Sequence, residues 1–233
     1  MKKLAVAVLV AMLGIVGATA AVAGALPANK TVLIYGDSLT WESRNKLLAQ
    51  FPLTAGWTRV VRGDPYTAAC SWIPQISSDL AAHPNPGFVV IESAGNIVDS
   101  CPNAATALQQ IADLVPDTAR LIYLRTPASP LLQSRFDAVE SAAGEAGYEI
   151  QTAPSEAIAP HATFSLTLPC LRAEGIKQGC GVAPAAPGQI LVRNPTDWLH
   201  FCPSPFTTRG CGVYSSGEVR WAKSIGALIK SMP

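Results

Sequence analysis

The sequence predicts an α/β domain with a parallel sheet covered by helices on both faces. Two observations carry that prediction. Short apolar runs alternate with stretches of helical pattern from residue 31 onward, and no hairpin signal joins one run to the next. A third observation sets the scale: about 205 residues follow the N-terminal apolar segment, a length that suits one domain with a full core.

Thr31–Tyr35 reads as the first strand, a short apolar run that enters a Gly-Asp-Ser turn at Gly36-Asp37-Ser38. Helical pattern follows over Glu42–Gln50, then a strand over Thr58–Val61, rich in β-branched residues. Ile73–Ala82 is the next helix and Phe88–Glu92 the third strand. Ala104–Leu114 and Gln133–Ala146 are helical, with strands at Leu121–Arg125 and Tyr148–Thr152. A last amphipathic helix covers Ser215–Lys230, with Ser215 or Ser216 placed to cap it. Residues 154–213 break the alternation. They are dense in Pro, Gly and Cys and are predicted to form a long irregular segment, of the kind that is usually functional. No internal repeat and no second domain boundary is visible.

The chain opens Met1-Lys2-Lys3 and runs uncharged from Leu4 to Asn29, with small-residue sites at Ala21-Val22-Ala23 and Ala23-Gly24-Ala25. Residues 1–25 therefore read as a secretory signal peptide, or as an uncleaved membrane anchor, ahead of a domain over 30–233. Either way the domain is expected outside the cytoplasm, secreted or in the cell envelope. The net charge is +1 and no basic cluster stands out, which argues against a nucleic-acid partner. The six cysteines, Cys70, Cys101, Cys170, Cys180, Cys202 and Cys211, form an even set suited to disulfides in an oxidising compartment. Their clustering suggests Cys70–Cys101, Cys170–Cys180 and Cys202–Cys211, the last two stapling the 154–213 segment. With no Cys-x-x-Cys pair, a zinc site is not expected.

Ser38 ends the first strand, at the sheet edge where ligands bind in open α/β folds. A serine nucleophile needs a base, a group that orients the base, and donors for the oxyanion. The chain has three histidines. His83 lies in His-Pro-Asn-Pro, a loop, and His161 lies in the irregular segment with no nearby carboxylate. His200 differs, because Asp197 precedes it at an i, i+3 spacing that puts both side chains on one face of a helical turn. Asp197 can then fix the imidazole tautomer while the other ring nitrogen takes the Ser38 proton. Asn96 follows the third strand after Gly95 and can offer its side-chain amide to an oxyanion. The loop after the second strand, at Gly63, can add a backbone N–H.

Gly36-Asp37-Ser38-Leu39, Gly95-Asn96 and Asp197-x-x-His200, in that order and at strand ends, resemble the SGNH (GDSL) hydrolases over most of the chain. Thr67-Ala68-Ala69-Cys70-Ser71-Trp72, Cys101 and His200-Phe201-Cys202-Pro203 are similar to an actinobacterial exported subgroup. The resemblance implies a flavodoxin-like, three-layer α/β/α sandwich around a five-stranded parallel sheet. It implies Ser38 as nucleophile and, through its own N–H, an oxyanion donor, with Asn96 a second donor, His200 the base and Asp197 its orienter. Two positions depart from the pattern. Pro65-Tyr66 stands where the subgroup has a glycine, so the loop donor would be the N–H of Tyr66 or of Gly63, since proline has none. Ile97 stands where an aspartate often follows the asparagine.

The expected activity is hydrolysis of carboxylic esters, O-acyl or acetyl esters of envelope glycans or lipids, without metal or cofactor. Transfer of the acyl group to an envelope alcohol, or a catalytically idle glycan- or protein-binding module, are the alternative readings. The expected partner is a small-molecule, glycan or lipid ester. A monomer is the expected state, and membrane association would come only through an uncleaved leader. Trp41, Trp72 and Trp198 lie near the predicted site loops, where core packing is the commoner use of tryptophan.

Overall fold

The computed structural model describes residues 29–96, 101, 103–202 and 215–233. Its first strand, β1 (Thr31–Gly36), is buried along its whole length, which is why its sequence is a continuous apolar run rather than an alternating one. β1 lies between β2 (Thr58–Gly63) and β3 (Phe88–Glu92), and β4 (Arg120–Leu124) and β5 (Glu149–Gln151) extend the sheet beyond β3. The order is β2-β1-β3-β4-β5 and every pairing is parallel. This is the flavodoxin-like order. The topology reverses between β1 and β3, and the crevice outside the carboxyl ends of those strands is where ligands bind in such sheets.

Helices α1 (Ser38–Gln50), α2 (Ile73–Ala82), α3 (Ala104–Leu114), α4 (Gln133–Glu145), the short α5 (Ala153–Glu156) and α6 (Gly217–Ser231) follow in chain order. Alternate residues of β1 point to opposite faces. Val32 and Ile34 join a core with Leu47 of α1 and Trp221 and Ile225 of α6. Leu33 and Tyr35 join a second core with Ile76 of α2, Leu108 of α3 and Val139 of α4. The result is a three-layer α/β/α sandwich, as the sequence predicts.

Three predicted features come out differently. α1 begins at Ser38 rather than Glu42, because Asp37 takes the N-cap position and its side chain accepts from Leu39 N–H at 3.4 Å. α6 begins at Gly217. Ser216 holds its N-cap position without a side-chain capping bond, while Ser215 Oγ accepts Gly217 N–H at 3.0 Å. The segment predicted to be irregular carries an antiparallel ladder, β6 (Thr167–Pro169) on β7 (Gln189–Leu191). Leu168 and Ile190 of that ladder pack onto the α1/α6 core. Its strands are joined by a long loop stapled by Cys170–Cys180 rather than by a tight turn, so no hairpin signal marks them.

Cys70–Cys101 is also bridged. The leader over 1–25 and Cys211, hence the Cys202–Cys211 pairing, lie outside the described residues. Among the described residues no helix is long and apolar enough to cross a membrane.

Gly63 sits where α1 approaches the sheet. A Cβ there would lie 2.6 Å from Trp41 Cα and 2.7 Å from the Thr40 carbonyl carbon, both rigid backbone atoms. Gly63→Ala is therefore expected to lower the unfolding free energy in urea by about 1–3 kcal/mol. Gly144→Ala, in α4 with nothing within 4 Å of the added methyl, is expected to leave it unchanged or raise it by about 0.5–1 kcal/mol.

Candidate active site

Ser38 is the first residue of α1, delivered by β1 to the carboxyl edge of the sheet at the β1/β3 reversal. It is nearly buried, and its Oγ lies 2.8 Å from His200 Nε2. His200 Nδ1 lies 3.0 Å from Asp197 Oδ2. With a carboxylate on Nδ1, the neutral ring carries its proton there, which leaves Nε2 to accept from the serine hydroxyl.

Asp197 and His200 do not meet on a helical turn, as their spacing predicts. They lie in a turn outside regular structure, and Trp198 between them has φ +60°. Asp197 Oδ1 accepts from Leu199 N–H at 2.9 Å and from His200 N–H at 3.0 Å, an Asx turn that folds the chain back on its own carboxylate. Asn194 completes the support. Its Nδ2 donates to Asp197 Oδ2 at 3.0 Å, and its N–H donates to His200 O at 2.7 Å. From beneath, buried Arg193 donates to Trp198 O at 3.2 Å.

The serine helix holds this loop through a second bond. Glu42, one turn after Ser38, accepts the Phe201 N–H at 2.7 Å. Burial pushes the Glu42 carboxyl up to about 8, against the opposing effects of His200 and the Phe201 N–H; the charges of Asp197 and Glu218 push it further up. Burial alone would lower His200, but the Asp197 hydrogen bond and the charges of Glu42, Asp197 and Asp37 outweigh it and hold the ring above its ordinary value. Burial alone would raise Asp197. Hydrogen bonds from the His200 ring and from the Leu199 and His200 backbone reverse that, so it sits below the usual carboxylate range.

Asn96 leaves β3 after Gly95, which adopts φ +72°. Its Nδ2 donates to Thr67 O at 3.2 Å and to Asp37 Oδ2 at 3.4 Å, so the amide stands beside the residue that precedes the serine. Thr67 N–H donates to Asp64 O at 3.4 Å, closing a turn with Pro65 second and Tyr66 third. Tyr66 has φ +72° at a position where glycine is favoured, and its side chain is exposed. Asp64 N–H donates to Gly36 O at 3.3 Å across the β1/β2 ladder. In that pattern the Gly63 N–H faces away from β1, toward the free edge of the sheet. Ser38, Asp197, His200 and Asn96 thus come together, with Tyr66 on the adjoining loop and Gly63 in contact with α1 instead.

Trp72 is buried, whereas Trp41, three residues after Ser38, and Trp198, two before His200, are exposed. His83 caps α2 through its backbone N–H, and His161 has its N–H on the Glu156 carboxylate. A cavity of about 500 Å³ lies beside Asn96, lined by Ala68, Ser93, Asn103, Arg135 and the Cys70–Cys101 bridge. Among the described residues no group of three His, Cys, Asp or Glu side chains is placed to hold a metal ion. Sequence reasoning missed Glu42, Asn194 and Asp37. The first sits at i+4 from Ser38 on α1, a spacing that could have singled it out.

No protein-family model matches the chain, and no curated protein matches it. Among solved structures, the chain is similar to the C-terminal catalytic domain of Streptococcus pneumoniae peptidoglycan O-acetyltransferase A. The identity there is 14%, with 88% of this chain and 94% of that one covered at a TM-score of 0.49. A putative lipolytic protein of the G-D-S-L family from Desulfitobacterium hafniense is 20% identical over 55% of this chain and 79% of that one, TM-score 0.42. A psychrotrophic esterase from Pseudoalteromonas sp. is 14% identical over 56% and 80%, TM-score 0.42.

Glu42 gives the site a signature in stability. Its carboxyl titrates near 4.5 when free and near 8 when folded, so the folded chain retains a proton that the unfolded chain releases between those values. Stability is therefore expected to fall as pH rises from about 5 to 8, by an amount on the order of a few kcal/mol. Thermal unfolding across that range checks it. Glu42→Gln keeps an acceptor for Phe201 N–H and is expected to reduce the slope.

Proposed function

We propose that this chain is a serine hydrolase of the SGNH type that cleaves carboxylic esters outside the cytoplasm. The observation that carries the reading is the hydrogen-bonded series Ser38–His200–Asp197 at the reversal point of the sheet. A buried serine at the head of a helix, bonded to an imidazole whose far side rests on a carboxylate, is poised to lose its proton as it attacks.

In this mechanism His200 Nε2 takes the Ser38 proton as Oγ bonds to the ester carbonyl carbon. Negative charge moves to the carbonyl oxygen, where the Ser38 N–H and one Asn96 N–H receive it. The Asn96 bond to Asp37 is long at 3.4 Å, so that N–H is the one that turns to the oxyanion. The positive end of α1 adds to the stabilisation. As the tetrahedral intermediate collapses, the proton on Nε2 passes to the leaving alkoxide, and the acyl group remains on Ser38. Water, deprotonated by His200, then attacks the acyl-enzyme and releases the acid. The side chains of His200 and Asp197 are 31% and 40% exposed, which gives water access and favours hydrolysis over transfer to another alcohol. The bridges at Cys70–Cys101 and Cys170–Cys180 support an oxidising compartment.

Ser38→Ala is expected to lose at least about 1,000-fold of turnover on a short p-nitrophenyl ester, and a fluorophosphonate should label the parent chain but not the variant. A variant that keeps its activity overturns the reading. The base must be unprotonated to act, and its ring is held above the ordinary value of 6.5. Activity should therefore fall on acidification with an apparent pKa above 6.5, read from kcat/KM against pH.

A further inference from the structure

Two carboxyl groups lie beneath the nucleophile turn and take no part in the mechanism above. Glu92 ends β3 with none of its surface exposed, and Asp37 precedes Ser38 with 1% exposed. Glu92 Oε2 accepts the Asp37 N–H at 3.3 Å and the Thr40 hydroxyl at 3.0 Å, while Oε1 has no protein donor. A Cβ on Gly36 would fall 2.7 Å from Glu92 Oε2, so the turn closes tightly over the acid. The Glu92 carboxyl thus lies against the backbone of Asp37, and the two acidic groups act on one another.

The surroundings decide where a proton must sit. From α1 come Thr40 and the Leu39 N–H, and from the loop after β3 comes the Ala94 N–H at 2.7 Å from Asp37 Oδ2. Tyr123 of β4 reaches Ser93 O, and His200 lies beyond Ser38. No lysine or arginine bonds to either carboxyl among the described residues. Two anions in contact in so dry a place are too costly, so the pair retains one proton. Asp37 accepts the Leu39 N–H, the Ala94 N–H and the Asn96 amide, all of which favour its charged form. Glu92 has an oxygen that nothing donates to. Burial, then the Asp37 charge, pushes Glu92 well above the usual carboxylate range.

We infer that Glu92 acts as a neutral hydrogen-bond donor to Asp37 and is a positioning residue for the oxyanion site. Donation from Glu92 fixes the Asp37 carboxylate, and that carboxylate in turn holds the Leu39 N–H at the start of α1 and the Ala94 N–H two residues before Asn96. The inference rests on the reading of Asn96 as an oxyanion donor for its catalytic consequence, but the protonation state of Glu92 stands apart from it.

Glu92→Gln keeps the shape and a donor without an ionisable group, while Glu92→Leu keeps the bulk and removes the donor. Glu92→Gln is expected to retain kcat within about threefold, because the donor persists. Glu92→Leu is expected to lose kcat by about 100-fold with KM nearly unchanged, the scale that a small misplacement of reacting groups produces. Glu42 also holds a proton at neutral pH, so the infrared test uses the Glu42→Gln chain as its background: that chain should contain the carbonyl band of a buried protonated carboxylic acid, and adding Glu92→Gln should remove it. Absence of the band from the Glu42→Gln chain overturns the inference even if the protein proves to lack esterase activity. A Gln variant as impaired as the Leu variant, or a Leu variant with full kcat, also overturns it. If Glu92→Leu does not fold, the Gln variant and the infrared band decide the matter.

Discussion

The contact on which the rest of the site depends is the hydrogen bond between Ser38 and His200, which joins residues 162 positions apart. A single such bond contributes about 0.5–1.5 kcal/mol net, too little to hold a loop without regular structure in place. The anchorage comes from what flanks it. Phe201 is fully buried against Trp221, with ring centroids 6.2 Å apart, and its N–H is tied to Glu42 on the serine helix. Burial of two aromatic side chains is worth several kcal/mol, so the loop is set down by its apolar end. Its polar end, Asn194 to His200, then has only its own bonds to arrange.

Carboxyl groups take different states around this centre, and the environment assigns them. Asp197 is partly open to water and collects donors, which keeps it charged. Glu42 is buried with one backbone donor and is pushed up to about 8. A loop carboxylate can therefore support an imidazolium while a buried helix carboxyl serves as a neutral tether below about pH 8.

Much of this was legible in the sequence for simple reasons. β1 and β3 are buried on both faces, so they read as apolar runs, and Phe88–Glu92 falls where the pattern puts it. The rarity of histidine, with Asp197 three residues before it, pointed to His200. What failed was the route by which Asp197 and His200 meet. An i, i+3 pair suggests a helical turn, and nothing in the spacing reveals that the Asp197 carboxylate would cap Leu199 and His200 with Trp198 at positive φ. The start of α1 was misplaced for a related reason, since Asp37 reads equally well as a turn residue or as a cap. Glu42 and Asn194 were hidden because their partners are brought to them only by the folded chain. Glu92 carried a visible mark, a charge closing an otherwise apolar strand, and its meaning depends on Asp37, which follows β1.

The serine stands near the start of the domain and the histidine near its end, with four of the five strands of the parallel sheet between them. During synthesis the proposed nucleophile would therefore emerge long before its proposed base. An unfinished chain holds a serine at the head of a helix with no imidazole beside it, and on the proposed mechanism it lacks the base that ester attack requires. Phe201 and α6, which seat the histidine loop, come at the same late stage. On the proposed mechanism the hydroxyl becomes reactive only when the last helix closes the core, and labelling of Ser38 would then report that folding is complete.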